Sequence, residues 1–237
     1  MTVLGIKALV FDTFGTVVDW RTSVAADMES FFGPKGVDRD WIAFAGAWRG
    51  GYYPAMDRVR KGERPWADND ALTRERLDEL LTTFEIGGLS EGEKRYLNLA
   101  WHRLNPWPDS VPGIARLKSR YIVSTFSNGS VRCLVDMAKH AGLPWDCIFS
   151  ADIVHHFKPD KETYLGVAAF LNLSPQETMV VAAHNYDLRN ARMHGLATAY
   201  VNRPTEYGEL QKQDLGPEED WDVSVASMTE LADALGA

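Results

Sequence analysis

From Tyr121 onward the chain alternates short β-rich runs with helical stretches, and that alternation restricts the fold more than any other feature. Tyr121 to Thr125, Cys147 to Ser150, Thr178 to Ala182 and Ala197 to Val201 read as strands. Helices are expected over Ser130 to His140, with Gly142 near its end, over Lys161 to Leu171, and over Asp187 to His194, ended by Gly195. A last helix is expected over Ser227 to Leu235. Strands that alternate with helices call for crossover connections, and so for a parallel, doubly wound α/β sheet. Lys7-Ala-Leu-Val-Phe-Asp12 supplies a further strand. Its unbroken apolar run is that of a strand buried on both faces, and it ends in a carboxylate.

Between these parts the text changes. From about Thr22 to Asn105 the runs are long and of helical spacing, as over Ser23 to Phe32, Asp40 to Arg49 and Ala71 to Phe84. Pro106, Pro108 and Pro112 punctuate the return. The expected organisation is a Rossmann-like core of residues 1–20 and 106–237, with a helical cap of residues 21–105 inserted into it.

Composition removes several classes of function. Lys and Arg total 25 against 33 Asp and Glu, a net charge of -8 over 237 residues. That balance disfavours nucleic acid and anionic membrane surfaces, while a few local cations still suffice for a small anion. The run Ala8 to Phe11 is too short to span a bilayer, and no N-terminal stretch has the parts of a signal peptide. A cytoplasmic protein is expected. Cys133 and Cys147 have no metal-ligand spacing, and a disulfide between them stays open. His102, His140, His155, His156 and His194 likewise show no triad or metal spacing, and His155-His156 is expected to be a loop pair.

In doubly wound sheets ligands bind beyond the carboxyl ends of the strands. Asp12, Ser127 with Asn128, and His184 with Asp187 fall at those ends, and Lys158 lies in a loop on the way there. An ionised Asp is a nucleophile when a neighbouring cation keeps its pKa low, and Lys158 is the natural cation for Asp12. On spacing alone Asp12 could equally be a cap or turn residue, and Lys158 a solvated one.

Phe11-Asp-Thr-Phe-Gly-Thr16, Ser127-Asn-Gly129, Lys158-Pro-Asp160 and the segment ending in Asp187 resemble, in order, the four motifs of the haloacid dehalogenase superfamily. Most members are phosphatases, so the superfamily does not name the reaction. Two departures separate this chain from them. Phe14 stands where those enzymes carry a second Asp, and Ala182-Ala-His-Asn-Tyr-Asp187 has one carboxylate where they bind Mg²⁺ with several. The resemblance is therefore to the 2-haloacid dehalogenase branch, without metal or other cofactor, with a small halogenated carboxylate as substrate and a homodimer as a common assembly.

That resemblance implies roles. Asp12 displaces halide to form an ester, which water then hydrolyses. Thr16 orients Asp12, Lys158 keeps it ionised with Tyr164 in support, and Asp187 handles the water. Arg49 and Asn128 face the halide, while Ser127 and the backbone N–H groups after Asp12, at Thr13 and Phe14, hold the substrate carboxylate. At the positions of Ala182 and His184 the family carries Ser and Asn. His184 therefore reads either as a substrate contact that narrows the halide pocket, as in members that tolerate fluoroacetate, or as a structural histidine. Trp41, Trp48, Tyr52, Tyr53 and Trp66 are expected to wall a dry pocket or to fill the cap interior. A phosphatase with an unusual acid and a non-catalytic binding protein are the alternatives.

Overall fold

The computed structural model describes residues 5–237. Five parallel strands form one sheet in the order β4-β1-β5-β6-β7. These are β1 (Ala8–Phe11), β4 (Ile122–Thr125), β5 (Thr178–Ala182), β6 (Ala197–Val201) and β7 (Val223–Val225). Strand β1 lies centrally, with Phe11 level with Thr125 on one side and Val181 on the other. Two-sided burial explains its unbroken apolar run. Leu9 and Phe11 enter one apolar cluster and Val10 the cluster on the opposite face.

The chain leaves this sheet through β2 (Val18–Asp19) and returns through β3 (Asn105–Pro106), which pair antiparallel as a two-residue neck. Between them run α1 (Trp20–Phe32), α2 (Trp41–Arg60), α3 (Asn69–Thr83) and α4 (Glu91–Asn98). Their starts are written in side chains. Asp19, Asp40 and Asp68 accept the N–H of the third residue on, and Ser90 closes a reciprocal box with Glu93. Helices α1 and α2 pack together, as do α2 and α3. One apolar cluster runs from Leu9, Phe11 and Val181 of the sheet to Trp20, Phe44, Trp48, Leu77 and Trp101. The helical segment is thus fused to the sheet by shared core.

After the neck come α5 (Ser110–Leu117), α6 (Val131–Ala141), α7 (Ala151–Val154), α8 (Lys161–Phe170), α9 (Asn185–Met193) and α10 (Met228–Ala234). The doubly wound expectation holds. Two local expectations do not. Cys147 to Ser150 forms no strand, only the isolated bridges Ser124 to Cys147 and Ser127 to Ser150. Asp146 and Thr125 take up hydrogen bonds along this edge through their side chains, leaving no continuous ladder. The helix expected over Asp40 to Arg49 continues to Arg60 across Pro54. Both cysteines are free thiols, and no described helix is long and apolar enough to cross a membrane.

Candidate active site

Asp12 is the first residue beyond β1, with its N–H still bound to Val181 O. Its carboxylate is buried and held from both sides. Lys158 Nζ stands 3.0 Å from Oδ1, whereas Thr16 Oγ1 donates to Oδ2 at 2.6 Å and His184 Nδ1 lies 3.1 Å from that same oxygen. Thr16 is aimed by Ala183 N, which donates to its hydroxyl at 2.9 Å. Burial alone would push the Asp12 carboxyl up, but Lys158, His184 and Thr16 together hold it well below the usual carboxylate range. An ionised carboxylate follows.

Lys158 is shared. Its Nζ also lies 2.5 Å from Asp187 Oδ2, and Tyr164 donates to Asp187 Oδ1 at 2.6 Å. Burial would lower Lys158, yet the two carboxylates raise it, so it stays charged. Asp187 is pushed up by its complete burial and by Asp12, against the pull of Lys158 and Tyr164. Asn128 fixes the loop that carries this lysine, its Oδ1 accepting Lys158 N at 2.7 Å. Ser127 is buried beside it and accepts Gly129 N. The space for Phe14 comes from Gly129, where a Cβ would stand 3.0 Å from the Phe14 ring.

The structure adds Glu206, which the sequence reading did not single out. His184 Nε2 lies 2.9 Å from Glu206 Oε2 and 3.2 Å from Oε1, and Trp20 Nε1 donates to Oε1 at 3.0 Å. Both nitrogens of His184 are therefore taken by carboxylates. Burial disfavours charge on the ring, but Glu206 and Asp12 outweigh it and raise His184 well above an ordinary histidine. Gly15 is what admits Glu206: a Cβ there would lie 2.0 Å from Glu206 Oε1, and its φ of +90° itself favours glycine. Arg203, on the same loop, donates to Thr16 O and grips Asp109 with two nitrogens. A usable signal existed, because Asn202-Arg-Pro-Thr-Glu206 directly follows β6 at the same sheet edge as the other site residues.

Helix α2 delivers Arg49 to the loop that follows Asp12. Its guanidinium carbon lies 5.6 Å from the Phe14 ring centre, 5.9 Å from Trp20, 4.8 Å from Tyr52 and 5.2 Å from Tyr53. It is buried, pairs with no carboxylate, and makes one hydrogen bond, to Tyr53 OH at 3.3 Å. Phe14, Arg49, Tyr52, Asn69, Thr73 and Trp101 line a small cavity there. Arg49 Nε, Tyr52 OH and Trp101 Nε1 are buried without partners around it. A buried cation beside unused donors suits an anion, since leaving such groups unpaired costs several kcal/mol, and Asn69 Oδ1 stands unpaired on the same cavity as an acceptor. Trp48 and Trp41, in contrast, sit in the apolar core, and Trp66 stacks on His155 and Phe157.

The family model for haloacid dehalogenase-like hydrolases matches residues 6–192. The chain belongs to that family. This hydrolase is 30% identical over 212 residues to the (S)-2-haloacid dehalogenase of Xanthobacter autotrophicus, covering 84% of this chain and 76% of the relative. The crystal structure of a defluorinating L-2-haloacid dehalogenase superposes with a TM-score of 0.96 at 46% identity, covering 98% of this chain and 96% of that one. The structure of the Xanthobacter autotrophicus L-2-haloacid dehalogenase with chloropropionic acid covalently bound aligns at 25% identity with a TM-score of 0.80, covering 98% and 99% of the two chains.

Proposed function

We propose that the chain is a metal-independent dehalogenase that hydrolyses short (S)-2-haloalkanoic acids to 2-hydroxy acids through an ester of Asp12. One observation carries the reading: the buried, unpaired Arg49 stands over Phe14, two residues past an ionised carboxylate. In a phosphatase, position 14 would supply the acid. Phe14 supplies an apolar wall instead, and Arg49 supplies a place for a departing halide. The named activities of the similar proteins support the same substrate class.

In the first step Oδ1 of Asp12, which has Lys158 as its one partner, attacks the halogen-bearing carbon. The C–O bond forms as the C–X bond breaks, and the halide leaves with both electrons toward Arg49 and Asn128. Ser127 and the backbone N–H groups of Thr13 and Phe14 hold the substrate carboxylate. Oδ2 then becomes the carbonyl oxygen of the ester. Thr16 and His184 already donate to it, so they form the oxyanion hole when water attacks Cγ. Asp187, raised by burial and oriented by Lys158 and Tyr164, takes the water's proton. As the tetrahedral intermediate collapses, Asp187 returns its proton to the departing oxygen, the hydroxy acid leaves with an oxygen from Asp12, and Asp12 regains its carboxylate by losing the remaining proton to solvent. His184 is thus assigned to the ester's oxygen, with Glu206 as its positioning partner. The helical segment 21–105 acts as a cap that carries Arg49 over the core of residues 1–20 and 106–237.

Halide release from L-2-chloropropionate, bromoacetate and fluoroacetate tests the proposal, with and without chelator. Release that persists in chelator supports it, and fluoride release would extend the range to C–F bonds. In a single turnover in ¹⁸O-water the hydroxy acid should carry ¹⁶O. Phosphate release from a generic ester, with no halide from any of the three acids, would overturn the assignment.

A further inference from the structure

Beneath the cap, away from Asp12, three segments bring metal-binding side chains together. Asp70 comes from α3 of the cap, His102 from the helical turn Leu99–His102 before the neck, and Cys133 from α6 of the core. One ligand atom from each lies within 4.8 Å of the other two. A tetrahedral zinc with ligand distances of about 2.0–2.3 Å would draw such atoms inward by about an ångström. We infer that Asp70, His102 and Cys133 form a zinc-binding site that ties the cap to the core.

Two further features point to a cation rather than a chance cluster. His102 is almost fully buried, and its Nε2 stands 3.3 Å from Asp70 Oδ1 yet has no partner in hydrogen-bond geometry. Its other nitrogen, Nδ1, faces Asp136 Oδ2 at 3.0 Å. Asp70 and Asp136 thus face the two nitrogens of His102, and a zinc ion would take the place of the proton between Nε2 and Asp70, with Asp136 supporting the ring from behind. The surroundings are also acidic, with Asp70, Asp136 and Asp152 disposed around Cys133. A dication would neutralise that field. On binding, the thiol loses its proton to solvent and gives up its weak contact with Trp101 O, and water completes the fourth position. Cysteine with histidine and one carboxylate is a set that suits zinc better than magnesium or calcium. The sequence showed no such spacing because the ligands lie on three separate elements.

The test uses the full chain, freed of metal by chelator, and titrated anaerobically with Co²⁺ as a spectroscopic stand-in. The expected result is a thiolate-to-cobalt charge-transfer band that saturates at one ion per chain and is displaced by Zn²⁺. Cys133→Ser should abolish the band and Cys147→Ser should keep it. Asp136→Asn should weaken binding about 10- to 100-fold, as loss of a histidine's carboxylate support does elsewhere. Asp70→Asn, at a half-buried residue whose acceptance from Ser130 Oγ an amide oxygen can keep, should weaken binding at least tenfold and so guards against a misfolded Cys133 variant. Zn²⁺ should raise the melting temperature of wild type and not of Asp70→Asn. No saturable thiolate band in wild type would overturn the inference, as would a band that follows Cys147 or ignores Asp70. None of these readings depends on dehalogenase activity.

Discussion

Replacing Glu206 with Gln should separate the two proposed chemical steps. The substitution keeps the shape of a buried side chain that accepts from Trp20 Nε1 and faces His184 Nε2. An amide oxygen in the place of Oε1 accepts from Trp20, but the NH₂ in the place of Oε2 then meets His184 Nε2–H at 2.9 Å, an opposition that must be relieved. His184 relieves it by shedding its Nε2 proton: the amide NH₂ then donates to Nε2, the amide oxygen accepts from Trp20, and Nδ1–H still points to Asp12 Oδ2. The network stays satisfied, and the fold survives with a small change in melting temperature. What vanishes is the charge on His184. A charge-assisted hydrogen bond contributes about 1.5–3 kcal/mol against about 0.5–1.5 for a neutral one, a difference of about 1.5 kcal/mol or roughly tenfold in rate. That loss should fall on ester hydrolysis, where Oδ2 gains charge, and not on halide release. Rapid-quench measurement on L-2-chloropropionate should therefore show a halide burst followed by slow hydroxy acid, with the esterified protein visible by intact mass. His184→Ala, which removes the donor altogether, should slow hydrolysis by about 10²–10³. The reasoning fails if Glu206→Gln slows halide release while hydrolysis is untouched, or if neither step changes in a protein that melts normally.

The remaining predictions concern the same network. His184 is raised in the folded protein, so its contribution is fully present below an unfolded pKa of about 6.5 and is lost as pH rises through the folded value. The pH–rate profile for hydrolysis should stay flat through 6.5 and fall only well above it, whereas in Glu206→Gln the fall should move toward 6.5; a wild-type fall centred at 6.5 would contradict the assignment. Arg49→Met should cut halide release at least about 100-fold while leaving thermal stability equal or higher, because it deletes a buried charge that has no carboxylate partner. Gly15→Ala should reproduce the Glu206 phenotype with a lower melting temperature, since its Cβ collides with the Glu206 carboxylate at a positive φ. A stable Gly15→Ala enzyme with unchanged kinetics would mean that Glu206 has room to move without consequence.

Strand β1 was legible because a strand buried on both faces has to be apolar throughout, and Asp12 because a carboxylate ending such a run is costly without a task. Lys158 and Asp187 were legible through the same sheet edge. Glu206 and His102 were not. Each reaches its place through a long separation in sequence, Glu206 by a loop after β6 and His102 by a short helical turn, and neither has periodicity to betray it. Cys147 to Ser150 looked like a strand by its residues, but side-chain hydrogen bonds from Thr125 and Asp146 replaced the backbone ladder. The continuation of α2 through Pro54 was hidden because proline normally argues for a break. The cost of a missing intrahelical bond was overridden here by burial of Tyr52 and Met56 on either side of it.

The aromatic surround of Arg49 is drawn from two stretches of the chain. Phe14 precedes the neck strand and Trp20 opens α1, whereas Tyr52 and Tyr53 ride on α2. Neither half encloses the guanidinium alone, so separating them returns the cation to water. The apolar core that joins α1 and α2 to the sheet prevents that separation, so the guanidinium is held from water before any anion arrives. Under the proposed function, an acid too bulky for the space between Tyr52 and Phe14 is expected to be turned away before any bond is made.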